Sequence, residues 1–209
     1  MYIPNAFRED DLETLVGFMR VNSFATLVSV LDGSPLASHV PLVVRREGGV
    51  VSLIGHLAKP NPQWKAFGNG ESVAIFTGPH AYISPSLYEK RESVPTWNYI
   101  AVHAYGIPRA IALSDSREAV ERVLGTIIET YDPSYKSQWD ELSDEYREGM
   151  MNGIVAFEMR VTRLEGKYKL SQNRSRADQE NVAQSLVQSN DPIIFGVGET
   201  MRVNLESEG

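Results

Sequence analysis

The chain has 209 residues, a formal net charge of −7, 42% hydrophobic residues and no cysteine. A soluble chain of this size buries one substantial core or two small ones. The missing cysteines exclude disulfides, thiolate nucleophiles and thiolate metal sites, and the negative charge, with no Lys/Arg block to offset it, disfavours nonspecific binding to nucleic acid. No stretch approaches the ~18 apolar residues of a membrane span. The first residues lack the pattern of a secretory signal, so we expect a cytoplasmic protein.

The first part of the chain predicts a helix followed by an antiparallel sheet. Residues 10–21 place apolar side chains at the i, i+3, i+4 and i+7 spacing of an amphipathic helix. Three β-rich runs follow, and the turns between them contain Asp32-Gly33 and Gly48-Gly49. Short turns of this kind imply antiparallel pairing. The predicted strands cover residues 24–31, 36–46 and 50–58.

The rest of the chain predicts three more strands and most of the helices. The strands are predicted at residues 72–85, 96–113 and 154–171. A long helix is predicted from residue 115 to about 131, with Ser116 or Asp115 as its cap. Shorter helical stretches are predicted near residues 143–151 and 174–189, whereas residues 190–204 have turn signals and no clear period.

These elements predict one domain over residues 1–209. Six antiparallel strands, with helices at both ends and between strands five and six, indicate a barrel-like α+β domain. The helical insert covers about residues 115–152, and a helical extension covers about residues 174–209.

The stretch "GHLAKPNPQW", residues 55–64, is unusually rich in polar and rigid residues for the end of an apolar strand. Asn61 is a favourable N-cap and Pro62 sits at the first helical position. A helix N-terminus beside His56 and Lys59 would form a small anion pocket suited to phosphate. The competing interpretation is that these residues only start a helix and that Lys59 is solvated.

Three further stretches combine aromatic, histidine and amide residues, at 77–86, 94–106 and 168–174. Core strands contain few such groups, because each buried amide or imidazole needs a partner. The mixture of stacking surfaces and hydrogen-bonding edges favours a planar heteroaromatic ligand.

Five motifs, taken in order, resemble the PaiB-type FMN-binding negative transcriptional regulators over nearly the whole chain. They are "MYIPNAF", "GHLAKPNPQW", "FTGPHAYISPSLY", "VPTWNYIAVHAYG" and "KLSQNR". The resemblance implies an α+β, mainly β fold: an antiparallel six-stranded split β-barrel, as in the pyridoxamine-phosphate oxidase and flavin reductase relatives, with peripheral helices. It also implies a homodimer that binds FMN in clefts between its protomers and represses genes, in bacilli those of sporulation and secreted proteases.

The resemblance also implies three groups of cofactor-binding residues. The phosphate and ribityl end of FMN would lie at His56, Leu57, Ala58, Lys59, Asn61 and Gln63. The isoalloxazine ring would run beside Ser38, His39, Val40 and Pro41. The residues near the dimer cleft would be Trp97, Asn98, Tyr99, Ser171, Gln172 and Asn173. At one position the chain departs from the family's pattern: Leu87 stands where the family usually has an aromatic residue that could stack.

Two other functions are compatible with the sequence. The first is an FMN-dependent oxidoreductase of the flavin reductase or pyridoxamine-phosphate oxidase type, which would not bind DNA directly. The second is a dimeric scaffold whose flavin pocket has lapsed. No catalytic residue is predicted, since the chain has no G-x-S-x-G motif. The four widely spaced histidines do not predict a metal site either.

The predicted helix at 115–131 is a poor DNA-recognition helix, because Arg117 and Arg122 are outnumbered by its acidic residues. A regulator of this kind would therefore act through a protein partner, or would bind DNA through a basic surface that the dimer assembles.

Overall fold

The computed structural model describes residues 1–207, and within them the chain forms eight strands and six helices. The strands are β1 (Arg8–Glu9), β2 (Phe24–Leu31), β3 (Ser34–Pro41), β4 (Val43–Glu47), β5 (Val50–Ala58), β6 (Ser72–Ile83), β7 (Thr96–Ile111) and β8 (Ile154–Lys169). The helices are α1 (Leu12–Val21), α2 (Arg117–Tyr131), α3 (Tyr135–Glu141), α4 (Asp144–Asn152), α5 (Arg176–Leu186) and α6 (Pro192–Ser207). Short 3-10 helices cover Asn5–Phe7, Pro62–Ala66 and Pro85–Leu87.

The strands form one sheet in the order β3-β2-β6-β7-β8-β5-β4, with β1 paired to β8 beside this path. The first and last strands of that order, β3 and β4, are joined by Leu42 alone. Leu42 is fully buried, and its N–H donates to the Ser23 carbonyl at 2.9 Å. At this residue the chain leaves its partner β2 and pairs with β5. The single strand predicted at 36–46 is therefore two strands, and with β1 this raises the predicted six strands to eight.

The chain divides into two compact units. Unit 1 contains Met1–Leu15, Thr77–Val102 and the described part of Glu165–Gly209. Unit 2 contains Val16–Phe76 and His103–Leu164. Each unit is built from segments that are distant in sequence, so the single domain expected over 1–209 stays a prediction.

Unit 2 is organised by a tight hairpin and by a helix that packs on the sheet. Asp32 and Gly33 both have positive φ, 51° and 77°, as a two-residue turn between β2 and β3 requires. Ser116 caps α2 by accepting a hydrogen bond from the Ala119 N–H at 3.2 Å, as predicted. The buried core between α2 and the sheet contains Val43, Ile54, Ile111, Val120, Val123, Met151 and Ala156.

The helices predicted near the first residues, in the insert and in the extension correspond to α1, α2, α4 and α5. Helix α3 was not predicted, and the reason is its weak signal. Ser134 makes no side-chain cap bond, and α3 buries none of its residues. No helix of residues 1–207 is both long enough and apolar enough to cross a bilayer.

Helix α6 lies within the helical extension predicted at about residues 174–209, but it contradicts the expectation that residues 190–204 have no clear period. Its buried residues Val197, Met201 and Leu205 are four apart and face the interior of unit 1. Gly198 interrupts this helical pattern in the sequence. A Cβ at position 198 would lie 2.7 Å from the Val187 backbone N. Glycine is needed for close packing at this position, and the sequence pattern therefore resembles a turn.

Candidate functional site

The polar turn after β5 is a capped 3-10 helix. The Asn61 Oδ1 accepts a hydrogen bond from the Gln63 N–H at 3.0 Å, which confirms the predicted cap. The Lys59 N–H donates to the Gly153 carbonyl, and the Asn61 N–H donates to the Ala58 carbonyl, both at 2.9 Å. These N–H groups are already bonded within the protein, and the helix has only five residues. Its N-terminal end is therefore a weaker anion-binding site than the sequence predicted. The exposed side chain of Lys59 then supplies the positive charge on the N-terminal side of this helix.

A hydrogen-bond network centred on Gln63 joins the turn to β2 and β3. Gln63 is fully buried. Its Nε2 donates to the Leu27 carbonyl at 2.8 Å and to Ser29 Oγ at 3.2 Å, and its Oε1 accepts from Ser38 Oγ at 2.5 Å. The Asn61 Nδ2 donates to the same Ser38 Oγ at 2.8 Å. The structure thus brings Ser38, Asn61 and Gln63 together, with Gln63 as the residue that fixes the other two.

The end of β3 presents an exposed ring surface. His39 is exposed, and its Nδ1 lies 3.0 Å from Thr26 Oγ1. Its ring stacks on Phe24, with centroids 6.3 Å apart, and Phe24 is 69% exposed. Val40 is buried and Pro41 is exposed. Since β3 is the terminal strand of the sheet order, backbone groups on one of its edges are available to a ligand.

His56 lies on β5, opposite Ala156 of β8. Its Nδ1 is buried, and no hydrogen-bond partner for it exists among residues 1–207. Burial lowers the pKa of the His56 imidazole below its ordinary value. The next residue, Leu57, is buried, whereas Ala58 is exposed. A neutral His56 therefore belongs to the folded state.

This burial predicts a pH dependence of stability. Because the folded-state pKa of His56 is depressed, the unfolded chain takes up its proton first as the pH falls below about 6.5. We expect the free energy of unfolding of the native protein to fall over that range by more than that of a His56→Gln variant. Urea unfolding at pH 7.5, 6.5 and 5.5 measures the difference. Parallel pH profiles for the two proteins would contradict a buried, neutral His56.

In unit 1, the amide residues predicted near the cofactor mostly bond within the protein. Asn98 is fully buried, and its Nδ2 donates to Ser171 Oγ at 2.9 Å, while its Oδ1 has no partner among the described residues. Gln172 accepts from the Leu170 N–H and donates to the Tyr168 carbonyl. Asn173 is exposed.

The aromatic residues of unit 1 form an exposed patch. Trp97 is 53% exposed, and its ring lies 6.1 Å from His80 and 6.0 Å from Tyr82, which is 52% exposed. Tyr99 is half-buried, with Lys167 Nζ 5.1 Å from its ring centroid. Contiguous exposed apolar patches often lie at interaction sites, so this patch is a candidate for one.

Lys169 is hydrogen-bonded to the strand that carries Trp97. Its Nζ donates to Thr96 Oγ1 and to the Trp97 carbonyl. Burial lowers the pKa of Lys169, and the nearby charges of Lys167 and Arg174 lower it further. The position of the Trp97 backbone therefore depends on a partly buried cation.

The sequence motifs did not predict that polar residues of β2 and β6 lie beside the site. Ser29 and Ser72 are buried and their hydroxyls lie 2.8 Å apart, and Thr26 contacts His39. The available signal was a serine at an inward-facing position of an otherwise apolar alternation in β2.

The donor set in unit 2 suits a phosphate-bearing planar ligand. Lys59 supplies an exposed cation, and no carboxylate lies within ion-pair distance of it in the described part of the chain. The amide of Asn61 is held in a fixed position by Ser38 and keeps one Nδ2 hydrogen for a phosphate oxygen. The Ser38 hydroxyl donates to Gln63, so toward a ligand it can act only as an acceptor, for example from a sugar hydroxyl. The rings of Phe24 and His39 provide flat apolar cover.

Comparison with known proteins identifies this ligand. The model of the family described as "Putative FMN-binding domain" matches residues 1–163. The Bacillus subtilis protein named "Protease synthase and sporulation protein PAI 2" is 39% identical over 211 aligned residues, which cover 100% of both chains. An uncharacterized Emericella nidulans protein is 32% identical over 87% of this chain and 88% of its own length.

Solved structures show the fold. The flavocytochrome Anf3 from Azotobacter vinelandii has a TM-score of 0.59 and 13% identity, covering 78% of this chain and 69% of that one. The FAD and heme binding protein from Mycobacterium smegmatis has a TM-score of 0.57 and 17% identity, covering 85% and 79%. These likenesses confirm the predicted mainly β, antiparallel split-barrel fold. On the family match and the full-length likeness, the chain belongs to the FMN-binding family of PaiB-like proteins, and FMN is its cofactor.

Proposed function

We propose that this protein is an FMN-binding negative transcriptional regulator that acts in the cytoplasm as a homodimer. The observation that carries the proposal is the full-length likeness to the Bacillus subtilis relative, whose name refers to protease synthesis and sporulation. Those are processes that a cell controls through gene expression. FMN would then be the group whose binding or redox state the regulator senses.

Each residue of the unit 2 donor set has a proposed place along the FMN molecule, from its phosphate to its ring. Lys59 and the second Nδ2 hydrogen of Asn61 would hold the phosphate, since they supply a charge and an oriented donor. Ser38 would fix Asn61, because its own hydrogen is donated to Gln63. His39 and the free edge of β3 would lie along the isoalloxazine ring. Gln63 would act indirectly, because its amide is fully used in fixing Ser38 and the turn. Bound FMN supplies one- or two-electron chemistry.

Two observations support a dimer with FMN at its interface. A bound ligand of drug size has ~70–90% of its surface covered by protein, whereas Lys59, His39 and Pro41 are exposed. A second protomer would provide the missing cover. The exposed pair Trp97 and Tyr82 is the kind of aromatic surface that is enriched at protein interfaces.

Contact with DNA would not come from α2. Arg117 pairs with Glu121 at 2.9 Å and also with Glu148 at 3.3 Å, and Arg122 pairs with Glu118 at 3.1 Å. These arginines are largely neutralised by their neighbours. A DNA-binding surface would have to combine residues of two protomers, or a protein partner would have to supply it.

For a regulator that binds DNA itself, the proposal predicts that the FMN-loaded protein enriches specific duplexes from a random-sequence pool. The logarithm of the affinity for an enriched duplex should fall linearly and steeply with the logarithm of salt concentration, because phosphate contacts release counterions. Filter binding at several salt concentrations, with and without FMN, measures both effects. We expect at least a several-fold difference in affinity between the two forms.

The competing function is tested on the same samples. If no duplex is enriched by either form, and NADH or NADPH oxidation exceeds that of free FMN, the protein is an oxidoreductase. If neither activity is found, a DNA-binding regulator is also excluded, and a scaffold or a regulator that acts through a protein partner remains.

A further inference from the structure

A cleft that is separate from the FMN donor set lies in unit 2, between α2 and the sheet. Its volume is about 190 Å³. Apolar side chains from two strands and from α2 form its floor, among them Ile54, Ile111 and Val123. Three arginines line its rim, Arg45 of β4, Arg109 of β7 and Arg122 of α2. The cleft therefore combines an apolar floor with cationic walls.

The three arginines differ in how their charges are balanced. Arg109 lies 3.9 Å from Glu158, which also lines the cleft, and Arg122 lies 3.1 Å from Glu118. Among residues 1–207, no carboxylate lies within ion-pair distance of Arg45. One positive charge is left uncompensated at the cleft, in a chain whose net charge is −7.

The guanidinium of Arg45 is held in place by a buried hydroxyl. Its Nη2 donates to Thr126 Oγ1 at 2.7 Å. Thr126 is 6% exposed, and its own hydroxyl donates to the Arg122 carbonyl at 2.9 Å, so its oxygen faces Arg45 as an acceptor. This bond uses one of the five N–H donors of Arg45 and leaves the others for a ligand. The side chain is thus oriented before any ligand arrives, which lowers the entropy cost of binding.

The size and charge of the cleft define the ligand class. At about 190 Å³ the cleft is smaller than the ~300–1,000 Å³ pockets of drug-sized ligands, so it suits a single ring or a short branched chain. A single uncompensated arginine matches a single negative charge, and its planar fork matches a carboxylate. We propose that this cleft binds a small organic monocarboxylate, with its carboxylate on Arg45 and its apolar body on Ile54 and Val123. The site is separate from the FMN donor set and does not depend on the proposed regulatory role.

The test is a titration of isotope-labelled, FMN-loaded protein with sodium benzoate at constant ionic strength, followed by amide chemical shifts. We expect saturable shifts in α2 and β5. The Arg45→Gln variant should bind benzoate at least tenfold more weakly. Arg46→Gln is the matched control, because it removes the same charge from the next residue of β4, whose side chain points to the other face of the strand and does not line this cleft. Its affinity should match that of the native protein.

Benzyl alcohol, a neutral molecule of similar shape, should bind at least tenfold more weakly than benzoate. Thr126→Val removes the hydroxyl that orients Arg45 and should weaken benzoate binding several-fold. It replaces Arg45→Gln as the test variant if that variant fails to fold. The proposal is overturned if benzoate gives no saturable shift in α2 or β5, if both substitutions leave its affinity unchanged, or if benzyl alcohol binds equally well.

Discussion

FMN should bind about 2–4 kcal/mol more weakly, a factor of roughly 30 to 1000, when Lys59 and Asn61 are both replaced by alanine. Lys59 is an exposed cation without a carboxylate partner among the described residues. Its charge-assisted hydrogen bond to a phosphate contributes ~1.5–3 kcal/mol. Asn61 adds to this through its second Nδ2 hydrogen and because it caps the turn. The rest of the donor set is retained, so some affinity should remain.

Quenching of FMN fluorescence on titration with protein measures this affinity. Lys65→Ala is the control, since Lys65 is an exposed cation in the same 3-10 helix. A general electrostatic effect would weaken binding equally in both proteins, whereas a direct phosphate contact would appear in the double variant alone. Unchanged affinity in the double variant would place the phosphate elsewhere.

The second large effect concerns stability. A Gln63→Leu variant should lose about 2–4 kcal/mol of unfolding free energy, because leucine fills a similar space but cannot pair with the buried polar groups around it. The Leu27 carbonyl loses its side-chain donor, and Ser38 loses its acceptor. For a chain of this size, the melting temperature should fall by roughly 5–15 °C.

Thermal unfolding followed by circular dichroism measures the loss. Gln138→Leu provides the matched control, since Gln138 is exposed on α3 and its replacement should change stability by less than ~0.5 kcal/mol. We also expect weaker FMN binding by Gln63→Leu at temperatures where it remains folded, because Ser38 is no longer fixed. A melting temperature equal to that of the native protein would show that the network contributes little to folding.

Local patterns in the sequence were sufficient for most elements of the fold. The Asp32-Gly33 turn, the Ser116 cap and the apolar face of α2 each depend on neighbouring residues, and all appear where predicted. The strand break at Leu42 was missed because an apolar residue continues the pattern while the chain changes its pairing partner. Helix α6 was missed because a glycine required by packing looks like a turn.

The candidate site divides in the same way. The sequence by itself identified the polar turn, its Asn61 cap and the exposed Lys59, because a cap and a charge are local features. Only the tertiary structure showed that Gln63 is fully buried and bonded to β2 and β3, and that Arg45 meets Thr126, a residue 81 positions away. The physical reason is that a hydrogen bond between residues distant in sequence produces no periodic pattern. The sequence alone is therefore compatible with two roles for Gln63, a contact to the ligand or a link between parts of the fold.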